Sequence, residues 1–220
     1  MKKNYQLILV TYIAMQLLLG IGLQMTRLIL KQIGYSGDQL VSLSFSIWIV
    51  LSFSVTLFIT LYQLRNEWGL KNRKAAPLLP SLLWTVSGVF LALFAQSLAI
   101  QIELLLGIQT GSENTEYIVN IIKMAPVVMI TSSLIGPILE EIVFRKIIFG
   151  SLYKRFNFFT SALVSSILFA LAHLEIEHII LYSAMGFVFS FLYVKTQRII
   201  VPIATHMLMN TFVIIVQLTY

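Results

Sequence analysis

The chain contains no cysteine. That absence removes disulfides, thiolate metal ligands and a cysteine nucleophile, and leaves the redox compartment unspecified. Charge is scarce as well: 11% of the 220 residues are Asp, Glu, Lys or Arg, against roughly 25% in an ordinary soluble domain. No internal repeat, low-complexity tract or long linker divides the sequence, and the basic loop 65–77 is the one hinge candidate. Histidine occurs only three times, as His173, His178 and His206.

What fills the chain instead is apolar sequence, 58% of all residues. Apolar stretches recur at about Tyr5–Met25, Leu40–Leu64, Leu78–Ile108, Met124–Gly150, Phe158–Leu174, His178–Val194 and Ile199–Leu218. Each is expected to be long enough to cross about 30 Å of hydrocarbon. The expected fold is therefore all-α, a polytopic transmembrane bundle of about seven spans. The N-terminal apolar run is too long for a signal-peptide core and lacks a small-x-small cleavage site, so it reads as a retained first span.

The formal net charge of +6 does not point to nucleic acid, because the basic residues sit in short clusters between spans. Basic and acidic loops alternate. The positive-inside rule puts Lys2, Lys3, the loop 65–74, Lys154, Arg155 and the loop 195–198 on the cytoplasmic side, with Arg27 and Lys31 as exceptions. "NTEYIVNIIK" has apolar residues at Tyr117, Ile118, Ile121 and Ile122, the spacing of a short amphipathic helix along the interface.

Against this background "IGPILEEIVFRKIIFG" (residues 135–150) stands out, because it carries Glu140, Glu141 and Arg145 inside an apolar run. Ionisable groups in a membrane persist where they pair, face a cavity or do chemistry. Counting about 1.5 Å per residue from the basic loops puts Glu140 roughly 16 Å deep, His173 about 22 Å, and His206 and Asn210 about 10 to 18 Å. Groups on three separate spans thus reach one level. Glu141 and Arg145, four apart, share a helix face and can pair. Glu140 points about 100° away and is the free carboxylate, suited to act as a general base toward water. Gly136 and Pro137 should loosen the helix and leave a carbonyl without its donor, and Pro202 stands similarly before His206.

His178 at a span end reads as interfacial, and Glu175 and Glu177 as solvated loop charges, with Glu177 able to orient His173 if that helix continues. Trp48, Trp68 and Trp84 read as core or interfacial anchors, and Lys123 as a snorkelling lysine.

These residues fall into three motifs: EExxxR at Glu140–Arg145, FxxxH at Phe169–His173 and HxxxN at His206–Asn210. In this the sequence resembles the CPBP intramembrane proteases, which include the eukaryotic CAAX prenyl endopeptidase Rce1 and the bacterial Abi proteins. The resemblance is to short bacterial members and covers about residues 115–218.

It implies an Rce1-like core over residues 111–220, preceded by N-terminal transmembrane helices over 1–110, in a multi-pass protein of a bacterial plasma membrane. It also implies that Glu140 activates water with help from His173, that His206 and Asn210 bind the oxyanion or a metal, and that Phe169, Glu141 and Arg145 support the site. Cofactor use stays open. Glu140, His173 and His206 could hold zinc or another divalent cation, yet the same groups could act without one, and no HExxH motif is present.

The expected partners are the lipid bilayer and a small membrane-associated peptide or membrane-protein substrate. The oligomeric state is undetermined. Other readings remain: a structural polar network, a non-catalytic scaffold or bacteriocin-immunity protein of the same fold, and a proton-coupled transporter, against which the lack of an inverted repeat counts.

Overall fold

A computed structural model describes residues 2–67, 74–109 and 111–219. Residues 68–73 of the hinge candidate 65–77, Trp68 among them, lie outside the described residues. Within them every regular element is helical. The helices are α1 (Lys3–Leu17), α2 (Leu19–Gln32), α3 (Gly37–Leu64), α4 (Leu78–Leu105) and α5 (Glu113–Met124). They continue as α6 (Val127–Leu152), α7 (Phe158–Ala172), α8 (Ile179–Thr196) and α9 (Ile200–Thr219).

Five helices, α3, α4, α6, α8 and α9, are each long and apolar enough to cross a membrane. The expected first span is two helices bent by 55° at Leu18. The bend supplies a geometric basis for the exceptional Arg27 and Lys31, since α2 leaves the direction of α1 and exposes both residues. The expected fifth span, α7, has only 15 residues, about 22 Å of helix. It stops short of the hydrocarbon thickness, so its C-terminal end lies within the depth of the bundle.

Helix α6 departs from ordinary winding. Residues Thr131–Ile135 and Glu141–Phe149 are π-helical, flanking a short α segment at Gly136–Glu140. The expected loosening near Gly136 and Pro137 takes this form. The Gly136 N–H bonds back to Thr131 O, and Pro137 has no N–H to offer. The Ser132 carbonyl thereby loses the donor a π turn would supply, and Asn210 Nδ2 lies 3.5 Å from it. Pro202 behaves differently from expectation: it lies in the first turn of α9, where a missing N–H leaves no helix bond unmade.

Close packing holds the bundle at small residues. A Cβ on Gly186 of α8 would come within 2.9 Å of the Ser166 side chain on α7, and one on Gly88 of α4 within 2.8 Å of Thr205 Oγ1 on α9. Thr205 in turn donates to the Thr85 carbonyl of α4, and the buried Ser165 on α7 donates to the Phe144 carbonyl of α6. The main core runs through Leu139, Ile142, Phe144, Phe169, Phe189 and Val201, so the span carrying the glutamates lies at its centre.

Helix α5 forms as the periodicity predicts. Ser112 caps it by accepting from Thr115 N, and Ile121 and Ile122 pack against Phe45 and Ile49 of α3. At one end of the bundle Lys2 and Lys146 both pair with Glu67, at 2.6 and 3.0 Å, and Arg198 donates to the Ala76 carbonyl. The basic clusters expected on the cytoplasmic side thus meet at one end. Trp48 lies against Gly22, Trp84 packs edge-on to Phe191, and Lys123 is exposed.

Candidate active site

Between α1, α3, α6, α7, α8 and α9 lies a cavity of about 490 Å³. Glu140, Phe169, His173, His206 and Asn210 all contribute to its wall. The separate motifs are therefore brought together, as the depth count anticipates.

The glutamates divide as the helical rotation predicts, with one addition. Glu141 is fully buried and pairs with the equally buried Arg145 at 3.1 Å. Its second oxygen lies 3.0 Å from Nδ1 of His206, so Glu141 bridges the arginine to the histidine of another span. Spacing along one helix could not reveal that cross-helix contact. The guanidinium of Arg145 packs over aromatic faces, 4.3 Å from the Phe169 ring centre and 5.3 Å from that of Phe189. Aromatic faces attract a cation and offset part of its desolvation.

Glu140 faces the other nitrogen of the same imidazole, on the cavity side. Among the described residues its carboxylate has no hydrogen-bond partner, and it stands 3.8 Å from Nε2 of His206. Because a carboxylate only accepts, the Glu141 contact places a proton on Nδ1 of His206 and turns Nε2 toward Glu140 and the cavity. The ring is fixed by stacking on Phe189, with centroids 4.7 Å apart and planes 21° apart. Asn210 follows one helical turn later on the same wall.

His173 is not inside a continuous span, as the sequence implies, but is the C-cap residue of α7. Its Nδ1 bonds the Phe169 carbonyl at 2.9 Å. Leu174 adopts a left-handed conformation (φ 61°) and reverses the chain. The helix therefore does not continue to Glu177, which is exposed and does not orient His173.

Two residues taken for loop or interface groups, His178 and Glu175, are structural instead. His178 is buried, with Nδ1 2.8 Å from Glu103 Oε2 and Nε2 2.8 Å from the Gly111 carbonyl. Glu103, on α4, also accepts from the Leu181 N–H. Glu175 accepts from the hydroxyls of Tyr182 and Ser112. Irregular backbone at membrane depth is tolerated where its polar groups are satisfied or line a cavity, and this cluster satisfies the turn that follows the short α7. Glu103 is an acidic residue within an apolar span, and that was the one signal in the sequence that could have flagged the cluster.

Among the described residues no three His, Cys, Asp or Glu side chains converge closely enough to hold a metal ion. The candidate ligand set Glu140, His173 and His206 shares a cavity but is not assembled as a coordination sphere. Nδ1 of His173 is engaged by backbone and its ring is stacked on Tyr182.

A short helix ending inside the bundle, a π-wound span carrying paired glutamates and two histidines thus meet at one cavity. The sequence model described as "Type II CAAX prenyl endopeptidase Rce1-like" matches residues 122–212, a segment that contains all three motifs. Over 225 aligned positions, 99% of this chain and 91% of the relative, the sequence is 44% identical to "Putative membrane peptidase YdiL" of Bacillus subtilis. It is 36% identical over 193 positions to "Membrane-embedded CAAX protease MroQ" of Staphylococcus aureus, covering 84% of this chain and 78% of that one. The chain belongs to the Rce1-like CAAX protease family and is a multi-pass membrane peptidase. No solved structure matches it significantly.

Proposed function

We propose that the protein is an intramembrane endopeptidase that cleaves a peptide bond in a small membrane-associated peptide or the juxtamembrane part of a membrane protein, with Glu140 as general base. The observation that carries this reading is the open 3.8 Å gap between Glu140 and His206 on the wall of the cavity. A half-buried carboxylate on the cavity wall, facing an imidazole without bonding it, leaves polar capacity for water and a reacting carbonyl.

Glu140 takes a proton from water as the water oxygen attacks the scissile carbonyl carbon. His173 assists from the same cavity. A carbonyl accepts its Nδ1 proton, so in the neutral ring Nε2 is the acceptor. Charge then develops on the carbonyl oxygen, where the amide of Asn210 and, in the imidazolium form of the ring, the Nε2–H of His206 serve as donors. Glu141 supports that form of His206 through Nδ1, and Arg145 balances Glu141. The C–N bond breaks as Glu140 returns its proton to the leaving nitrogen, giving a carboxylic acid and an amine.

The apolar lining from Phe45, Ile49, Phe53 and Met209 favours a substrate that enters as an apolar segment. The substrate class of prenylated proteins is not carried over, because no residue of this chain encodes it.

The test is the purified full chain in liposomes, offered a library of apolar peptides. Cleavage by the wild type that disappears in Glu140→Ala and His206→Ala supports the reading. Equal cleavage by all three proteins would remove Glu140 and His206 from the chemistry, and no cleavage by any would favour a scaffold.

A further inference from the structure

We propose that Tyr182 is a positioning residue for His173, the outermost link of a Ser112–Glu175–Tyr182 chain that fixes the direction of the imidazole. The proposal rests on the reading above that His173 assists at the reacting centre.

His173 occupies an exposed place for a side chain of that role. It is the last residue of a short helix, next to a left-handed chain reversal, and helix ends fray. Its orientation must come from outside the helix end. Two restraints specify it. The bond from Nδ1 to the Phe169 carbonyl fixes the rotation of the ring within its plane. The plane itself is set by Tyr182 of α8, which stacks on the ring with centroids 4.0 Å apart and planes 26° apart. Phe169 adds an edge contact at 4.6 Å. Face, edge and one nitrogen are therefore occupied, and the remaining nitrogen, Nε2, is the one left for the cavity.

Tyr182 is itself anchored. It is buried, its hydroxyl donates to Glu175, and it lies 3.2 Å from Ser112 Oγ. Ser112 also donates to Glu175, at 2.8 Å, while capping α5. Here α5, the turn after α7 and α8 are tied to one ring face at the active centre. A misplacement of about 1 Å in a reacting constellation can lower turnover by about a hundredfold, so the stacking partner that sets the ring plane bears on the rate.

The protein has only three histidines, so ring-¹⁵N-labelled histidine in the full chain in micelles gives a spectrum in which His173 can be assigned with His173→Ala. The expected wild-type signal has Nδ1 protonated and Nε2 bare. Tyr182→Leu is expected to convert it to an averaged tautomer signal and to lower kcat by about tenfold to thirtyfold with KM changed less than about twofold. Tyr182→Phe keeps the ring and should lower kcat about threefold. Tyr182→Leu should have no further effect in a His173→Ala background, because positions that act through one another are not additive.

The proposal is overturned if Tyr182→Leu leaves the His173 signals unchanged, or lowers kcat by the same factor in both backgrounds. If Tyr182→Leu does not fold, Tyr182→Phe and Glu175→Gln carry the same two readouts. Wild-type turnover in His173→Ala would instead overturn the reading of the site beneath the proposal.

Discussion

The cavity has two carboxylate–imidazole pairs on its wall, and they are built in opposite ways. At Glu103 and His178 the pair is closed at 2.8 Å. Both ring nitrogens face an acceptor, and both carboxylate oxygens are bonded. At Glu140 and His206 the pair stands open at 3.8 Å, and among the described residues the carboxylate has no hydrogen-bond partner. Buried polar groups in native structures are nearly always satisfied. A complete set of bonds marks the first pair as a structural tie between α4, the turn before α5 and the start of α8. The open pair retains unfilled hydrogen-bonding capacity, which is what a site that must take up water and substrate requires.

The largest effect that separates the two pairs is expected at Glu140. Glu140→Gln keeps the shape and removes the base, so turnover in liposomes should fall by about a hundredfold to ten-thousandfold, with thermal unfolding little changed. A variant that is equally unstable and inactive would make the open pair structural too, and the contrast would be lost.

Next in size is the buried ion pair behind the site. Arg145→Met leaves Glu141 without its cation and should destabilise the protein by about 3–5 kcal/mol. Glu141→Gln with Arg145→Met should recover much of that loss while remaining poorly active, since His206 loses its charged acceptor. Denaturation in detergent alongside peptide cleavage separates the two quantities, and recovery of activity with stability would show that Glu141 acts only on packing.

At the closed pair the order should reverse. Glu103→Gln leaves a buried hydrogen bond mismatched, with an expected loss of about 1–3 kcal/mol in unfolding free energy and a drop in turnover of only a few-fold. A loss of turnover as large as that of Glu140→Gln, with stability intact, would mean that the closed pair takes part in the chemistry.

The smallest expected effect is that of a chelator. Because the three candidate ligands do not converge, treatment with a strong divalent chelator should change turnover by less than about twofold. Loss of activity that returns on adding zinc would show that the ligands rearrange to bind one.

These contrasts also explain what the sequence made visible. Glu140, Glu141, Arg145, His206 and Asn210 were legible because each is a polar residue in an apolar helix, and helical spacing gives both depth and direction. The Glu141–Arg145 pair needs nothing more than a four-residue separation, and it forms. The link from Glu141 to His206 depends on how α6 and α9 rotate against each other, which no single helix records.

The polar cluster at the turn after α7 was hidden for a different reason. His178, Glu175 and Ser112 lie in or beside turns, where polar residues are ordinary, so nothing in their local sequence distinguishes a buried bond from a hydrated one. The shortness of α7 was the missing fact. Once that helix ends inside the bundle, the turn that follows must find partners for its polar groups, and the residues around it become structural.

The unusual winding of α6 has one further consequence. A π segment accommodates a residue that an α-helix of equal length would lack, so this span should tolerate a length change that other spans would not. Deleting one residue between Ile142 and Ile148 would allow the segment to rewind as an α-helix and still insert. The carboxylate upstream would then turn away from the wall it faces, leaving a well-assembled but silent protein. Natural shortening or lengthening of this stretch is therefore a route by which descendants of the same scaffold could gain or lose catalysis in a single step.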